Sequence, residues 1–290
     1  MRSWTHCSES ISREFRTAGL SRWVPSREWH KSKNIMHSFA DAIIQEFTLQ
    51  KSIDVEKPAK SENLSGKERY VFLHELMKQT QEPDRIRSEL LNILLAGRDT
   101  TSSLLSNTWF TLARRPDLWA RLRAEVDELH GERPTYAQIK DIKYLRWVLN
   151  ECLRLMPVVP ANARVAVRDA VLPIGGGADG KDPAFVPKGS LVLYHLWTLH
   201  RRRDLFGEDA DVFKPERWET LRPGWGYLPF NGGPRICVGQ EFALIEASYT
   251  TIRLMQTFSR IEARDERDWC EYVTLTSVSG VGCKVALFES

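Results

Sequence analysis

Cys237 stands in the stretch Phe230-Asn231-Gly232-Gly233-Pro234-Arg235-Ile236-Cys237-Val238-Gly239, which is punctuated by glycine and proline. An apolar, alanine-containing segment that reads as a helix follows at once. A thiol at the start of a helix meets unpaired backbone N–H groups and the positive end of the helix dipole, and both favour the thiolate. No second cysteine lies nearby, so the thiolate is presented alone. A lone thiolate suits one axial position on a haem iron. The competing reading is a buried structural cysteine, since free cysteine is among the most buried residue types. A phosphate-cradling loop fits poorly, because no Gly-Lys-Ser/Thr follows.

Two other groups of residues could do chemistry. Ala96-Gly97-Arg98-Asp99-Thr100-Thr101-Ser102-Ser103 lies at the middle of a long helical pattern. A glycine inside a helix costs about 1 kcal/mol against alanine, and β-branched threonines add to this. A locally unfavourable stretch inside a strong helix marks a candidate functional site. Hydroxyls that bond back to carbonyls would bend the helix there. Asp99 and Thr100 would then form an acid–hydroxyl pair in an opened turn, able to carry protons. The alternative is a polar patch on a solvent face.

Glu151-Cys152-Leu153-Arg154 places an acid and a base three apart, where helical side chains can pair. On a surface such a pair contributes only ~0.3–0.5 kcal/mol. Here Leu145, Trp147, Val148, Leu149, Leu153, Leu155 and Met156 leave little polar face, so the pair is expected to be buried. A buried pair needs further hydrogen bonds to offset its desolvation. Arg217, in Phe213-Lys214-Pro215-Glu216-Arg217-Trp218, is the candidate third member.

The chain that must position these groups has 290 residues, enough for one large domain or two smaller ones. Its net charge of +3, from 41 Lys+Arg and 38 Asp+Glu, gives no argument for nucleic-acid binding. The five cysteines, Cys7, Cys152, Cys237, Cys270 and Cys283, contain no C-x-x-C pair. Zinc-ribbon, thioredoxin and covalent c-type haem readings therefore fail. An odd, scattered set suggests reduced thiols in a cytosol-facing protein. Met1 to Asn34 is charged and aromatic, without the apolar core of a signal peptide, and no stretch approaches transmembrane length.

Helical spacing of Ile35, Phe39, Ile43 and Phe47 predicts an amphipathic helix over Ile35 to Leu49. Gln50 to Arg69 is polar and contains Pro58 and Gly66, so it is expected to be an exposed loop, with helix resuming over Tyr70 to Lys78. Pro83 to Arg115 predicts one very long helix, Pro116 to about Leu129 a second, closed by Gly131, and about Ile142 to Met156 a third, stopped by Pro157. The pattern then turns to strands over Val165 to Val167, Val171 to Ile174 and Phe185 to Tyr194. Loops with short helical turns follow over His200 to Asn231, then a helix after Cys237 that runs to roughly Phe258. Glu271 to Val278 and Gly282 to Phe288 suggest a closing hairpin through Ser279-Gly280. The expected fold class is mainly α with a small β part.

Taken in order, the acid–threonine helix, Glu-x-x-Arg, Pro-Glu-Arg-Trp and Phe-x-Gly-Gly-x-Arg-x-Cys-x-Gly resemble the order of motifs in the cytochromes P450, the haem-thiolate monooxygenases. The resemblance runs from about Leu20 to the end. Tyr70 to Leu76, Leu91 to Thr101 and Gly224 to Gly233 look like the fungal subfamily that hydroxylates n-alkanes and fatty acids. The resemblance implies haem b with Cys237 as its axial thiolate, and Asp99 and Thr100 as catalytic proton carriers. It implies Arg235 and Arg164 as partners of the haem propionates, with Phe230 and Gly239 in the ligand loop. Ala96 and Gly97 would leave room over the iron. Glu151, Arg154 and Arg217 would form a structural network behind the haem, and Val158 to Asn162 and Ser277 to Gly280 would line the substrate pocket.

The same resemblance implies O2, NADPH-cytochrome P450 reductase and a long-chain aliphatic substrate as partners. It implies the cytosolic face of the endoplasmic reticulum membrane as the location of full-length members. Those members carry a membrane anchor and early helices before the region where this chain starts. Residues 1–290 are thus expected to form a partial domain, the C-terminal portion of the fold: long central helix, Glu-x-x-Arg helix, β-hairpins, Cys-ligand loop and following helix. A non-catalytic remnant and a haem-thiolate isomerase or dehydratase remain as alternatives.

Overall fold

A computed structural model of the chain describes residues 27–56, 72–274 and 276–289. The described residues divide into two compact units: those up to Asp99 with 273–274, and Thr100 to Tyr272 with 276–289.

The first unit begins with α1 (Arg27–Glu56), followed by α2 (Phe72–Gln79). Helix α1 is longer than expected and takes in the first seven residues of the predicted loop. Gln50 to Glu56 contains neither glycine nor proline, and only at Pro58 does the chain meet a residue that disfavours helix before it. Residues 57–69, and Tyr70 and Val71 of the next predicted helix, lie outside the described residues. The buried row on α1 is Ser32, Met36 and Ala40, while Ile35 and Phe39 are exposed. Both rows have helical spacing, one residue apart. The row with the small residues is the one that permits close approach. Arg87 of α3 (Pro83–Leu112) forms an ion pair with Asp41 at 3.1 Å.

Helix α3 is a single α-helix of 30 residues that ends three residues before the expected Arg115. No opened turn interrupts it: α-helical structure is unbroken from Ala96 to Ser103. Hydroxyl back-bonding is seen from Thr108 Oγ1 to the Leu104 carbonyl and from Thr111 Oγ1 to that of Asn107.

In the second unit α4 (Pro116–Asp127) carries buried Leu118, Leu122 and Val126 at four-residue spacing. It unwinds through His130 and Gly131, both with positive φ. Helix α5 (Tyr136–Asp141) has no counterpart among the expected elements, although its capping box is written in Thr135-Tyr136-Ala137-Gln138. Helix α6 (Lys143–Leu155) turns Leu145, Val148, Leu149 and Cys152 into a core shared with Leu104 and Trp109, and with Leu244 and Ile252 of α9 (Gln240–Thr257). Trp109 and Trp119 meet edge to face at 5.9 Å.

Four strands come between α6 and α9: β1 (Ala161–Val165), β2 (Ala170–Gly176), β3 (Asp182–Val186) and β4 (Leu191–His195). They form two antiparallel pairs, β1 with β4 and β2 with β3. The strand expected over Phe185 to Tyr194 is therefore two. They are divided at Pro187-Lys188-Gly189, where Ser190 N–H reaches the Pro187 carbonyl and Gly189 adopts φ +87°. The strand expected at Val165 to Val167 lies upstream, because Ala166 closes the β1–β4 pair by donating to the Ser190 carbonyl. Helix α7 (Leu196–Leu199) follows β4 directly; helix α8 (Arg203–Phe206) and two 3-10 turns, Pro215–Glu219 and Gly224–Gly226, lie within the predicted loop region, and a third, Gly233–Arg235, follows it.

The closing hairpin is differently wired. Strand β8 (Val285–Glu289) pairs with β5 (Phe258–Ala263), and β6 (Glu271–Val273) pairs with β7 (Ser277–Ser279). A register shift between Phe258 and Arg260 hides the alternation of β5 from the sequence. Leu275, inside the predicted strand, lies outside the described residues.

Candidate functional site

Helix α9 starts at Gln240 with Gly239 as N-cap, three residues after Cys237. The loop before it is shaped by Asn231 at φ 63° and Gly233 at φ +70°, a left-handed geometry that suits asparagine and glycine. Pro234 sits in a 3-10 turn, Gly233–Arg235. Cys237 N–H donates to the Phe230 carbonyl at 2.9 Å, which closes the loop on itself. From the flank, Tyr194 of β4 donates its hydroxyl to Asn231 Oδ1 at 2.9 Å. The thiol is thereby left exposed, beside Ile236 and the 93% exposed Val238.

Cys152 is the contrasting case. It is wholly buried in the core, with its sulfur 3.5 Å from Thr108 Oγ1. Burial pushes its thiol pKa up to about 12, so it stays protonated. Cys283 is also held above the ordinary thiol range by burial.

The structure brings Glu151, Arg154 and Arg217 together. Glu151 and Arg154 are 0% exposed. Arg154 grips both carboxylate oxygens, with Nη2 at 2.7 Å from Oε1 and Nε at 2.9 Å from Oε2. Arg217 Nε adds a bond to Oε1 at 2.9 Å. Trp218 Nε1 donates to Oε2 at 3.0 Å and Lys214 N–H to Oε1 at 2.9 Å. The remaining guanidinium protons reach the carbonyls of His200, Ala210, Val212, Phe206 and Asp209. The charges of this desolvated cluster are thus matched by hydrogen bonds, the condition under which buried charge is tolerated. Sequence reasoning gives Trp218 and Lys214 no part in the cluster. Trp218 follows Arg217 directly and Lys214 precedes the Pro-Glu-Arg-Trp segment by one position, and that proximity is the signal that could have found them.

Ala96, Gly97 and Asp99 lie on the part of α3 in the first unit, and Thr100 on the part in the second. Asp99 Oδ1 lies 3.3 Å from Arg98 Nη1. Ala96 and Gly97 are exposed, and a methyl group on Gly97 would meet nothing within 4 Å. In the second unit Ser277 N–H donates to the Val158 carbonyl at 2.8 Å, and Ser103 Oγ donates to the Ser277 carbonyl. The two segments expected to line a substrate pocket are therefore hydrogen-bonded to each other.

A family model described as Cytochrome P450 matches residues 12–277. The chain belongs to the cytochrome P450 family. It is 52% identical over 223 residues, 77% of its length, to a cytochrome P450 monooxygenase of Fusarium heterosporum. It is 53% identical over 221 residues, 76% of its length, to a cytochrome P450 monooxygenase of Aspergillus japonicus. Cytochrome P450 52A5 of Candida maltosa is 46% identical over 265 residues, 88% of the chain. The chain spans 40%, 40% and 48% of the lengths of these three relatives.

Membership of the P450 family implies a haem held by a cysteine thiolate. The residues present fit that group. Cys237 offers an exposed thiol with apolar neighbours, and Arg164 and Arg235 are exposed. Among the described residues neither arginine has a carboxylate within ion-pair distance; Arg164 Nη1 reaches only Asn162 Oδ1 and the Ala163 carbonyl. Guanidinium donors not engaged by a carboxylate suit propionates. No helix of the described residues is long and apolar enough to cross a membrane.

Proposed function

We propose that Cys237 would hold a haem through its thiolate, in a monooxygenase that hydroxylates a long aliphatic chain, an n-alkane or fatty acid. The observation that carries the reading is the exposed Cys237 thiol, fixed by its N–H to the Phe230 carbonyl, set against a buried and protonated Cys152. A thiolate-bound haem supplies oxygen activation, because electron donation from sulfur favours O–O cleavage.

The chain's own residues do the rest. Phe230 and Gly239 bracket the ligand loop and hold its thiol outward. Arg164 and Arg235 would hold the group through its propionates. Asp99 and Thr100 Oγ1, adjacent on α3, hold and pass protons. Ala96 and Gly97 keep the α3 surface small where substrate and oxygen must fit. Glu151, Arg154 and Arg217 keep the segment ahead of the loop rigid.

The aliphatic substrate is supported by the segments that resemble the fungal alkane and fatty-acid hydroxylases, Tyr70 to Leu76, Leu91 to Thr101 and Gly224 to Gly233. Electrons would come from NADPH-cytochrome P450 reductase at the cytosolic face of the endoplasmic reticulum membrane.

The test is expression with haem supplied, reduction under CO, and product analysis on alkanes and fatty acids of graded length with reductase present. A thiolate-type CO band and a hydroxylated chain end are expected. Absence of the thiolate band overturns the ligand assignment, and a thiolate band without aliphatic product overturns the substrate.

A further inference from the structure

His200 lies between the buried acid–base cluster and the ligand loop. Its carbonyl accepts Arg154 Nη1 at 2.9 Å. Its ring Nε2 accepts the Leu228 N–H at 2.9 Å. Leu228 begins the run that ends at Phe230, whose carbonyl holds the Cys237 N–H at 2.9 Å. Tyr227, the residue before, is fixed on three sides. Its ring packs 4.5 Å from Trp218 and 5.1 Å from His200, and its hydroxyl donates to the Asn150 carbonyl at 2.9 Å.

We propose that His200 is a positioning residue for the Cys237 loop: through Nε2 it anchors Leu228, and so fixes the Phe230 carbonyl that orients the cysteine. An accepting Nε2 requires a neutral ring with its proton on Nδ1. Nδ1 is buried and makes no hydrogen bond of good geometry among the described residues, although the Leu153 and Arg154 backbone lies close to the ring. The ring thus pairs one backbone N–H while its own donor is poorly paired. Such an exchange is close to neutral for stability, so what the imidazole contributes is the location of the Leu228 amide. Burial and the Arg154 charge hold the ring neutral by lowering its pKa to about 4, which keeps the acceptor available.

The consequence for haem binding rests on Cys237 being the ligand, but the anchoring itself does not. The experiment therefore has two readouts on His200→Gln, whose amide oxygen can still accept, and His200→Leu, which cannot. Hydrogen exchange of the Leu228 amide is measured in the chain without haem. The fraction of thiolate-type CO band is measured in the haem-loaded protein.

Protection of Leu228 in the unsubstituted chain, at least roughly tenfold faster exchange in His200→Leu, and near-normal protection in His200→Gln are expected. The thiolate fraction should fall in the leucine variant and be rescued by glutamine. An unprotected Leu228 amide in the unsubstituted chain overturns the proposal without any variant, which covers the case of a leucine variant that does not fold. A folded leucine variant with unchanged exchange also overturns it. Altered exchange with no thiolate band in any of the three proteins would strike the ligand assignment and leave the anchor standing.

Discussion

Arg217 Nε and Arg154 Nη2 converge on one oxygen, Glu151 Oε1, at 2.9 and 2.7 Å. With Lys214 N–H on the same oxygen, and Arg154 Nε and Trp218 Nε1 on the other, a single carboxylate takes five donors. Without the Arg217 guanidinium, Glu151 stays paired with Arg154 but loses one charge-assisted bond, and the Phe206, Asp209 and Val212 carbonyls lose their donor, at roughly 1–3 kcal/mol for a buried group left unsatisfied. Arg217→Ala should therefore lose stability on that scale, a large share of the roughly 5–15 kcal/mol that holds a domain folded. Arg217→Lys should recover little, because an ammonium cannot reproduce a fork that also reaches the Phe206, Asp209 and Val212 carbonyls. Denaturant unfolding measures both. A loss under about 1 kcal/mol for the alanine variant would mean that the cluster is not held as the hydrogen bonds describe.

Cys237 and Cys152 should separate in chemistry. In the chain without haem, a thiol reagent should modify Cys237 and spare Cys152, whose burial keeps it a thiol. Haem should then protect Cys237. Cys237→Ser should abolish the thiolate-type CO band while Cys152→Ala keeps it at some cost in stability. Retention of the band in Cys237→Ser would refute the ligand assignment.

Thr100→Ala tests the proton path. If Thr100 Oγ1 passes protons, the variant should still consume reducing equivalents and O2 but convert less of them to hydroxylated product. Peroxide release against product formation measures the ratio. An unchanged ratio would remove Thr100 from the path, and it would leave the polar-patch reading of this turn in force.

The order of motifs, the long α3 and the mainly helical class are all legible in the sequence, because each depends on local pattern. The burial of Glu151 and Arg154 is legible too, since their neighbours on α6 are nearly all apolar. What is not legible depends on partners distant in the chain. Strand β8 pairs with β5 rather than with its sequence neighbour, and a register shift masks the period of β5. On α1 two rows share helical spacing, and packing selects the one with Met36 and Ala40. The opened turn at Asp99 follows from propensity alone, yet an unbroken helix tolerates one glycine and two threonines. Trp218 and His200 carry no signature of their own, and only the fold turns them toward Glu151 and Leu228.

His200 also sets an acid limit. Its folded-state pKa of about 4 lies below the ordinary 6.5, with burial the larger cause and the Arg154 charge the next; Arg201 adds to the effect. Above pH 6.5 the ring is neutral whether the chain is folded or unfolded, and stability is unaffected. As pH falls below 6.5 the unfolded chain takes the proton first, so stability falls through the window down to about 4, and this contribution levels off below it. The full loss is about 3 kcal/mol. Carboxylates held low by basic neighbours, such as Asp209 beside Lys214 and Arg217, lose their share only at lower pH. Denaturant midpoints measured from about pH 7 to about pH 4 should drop in the unsubstituted chain and drop less in His200→Gln. Parallel curves would show that His200 titrates normally.

Gly97 should expose a conflict between stability and function. It lies inside α3, is exposed, and has nothing within 4 Å of where a methyl group would go. Gly97→Ala therefore gains helix propensity, about 1 kcal/mol, with no clash to offset it. A residue kept at that cost is expected where the missing side chain leaves usable space. The variant should be more stable by that amount in denaturant unfolding and, if the proposed hydroxylation holds, should turn over more slowly with its CO band intact. Higher stability with unchanged turnover would assign Gly97 no part in the site. Lower stability would mean that the open space beside it is occupied in solution.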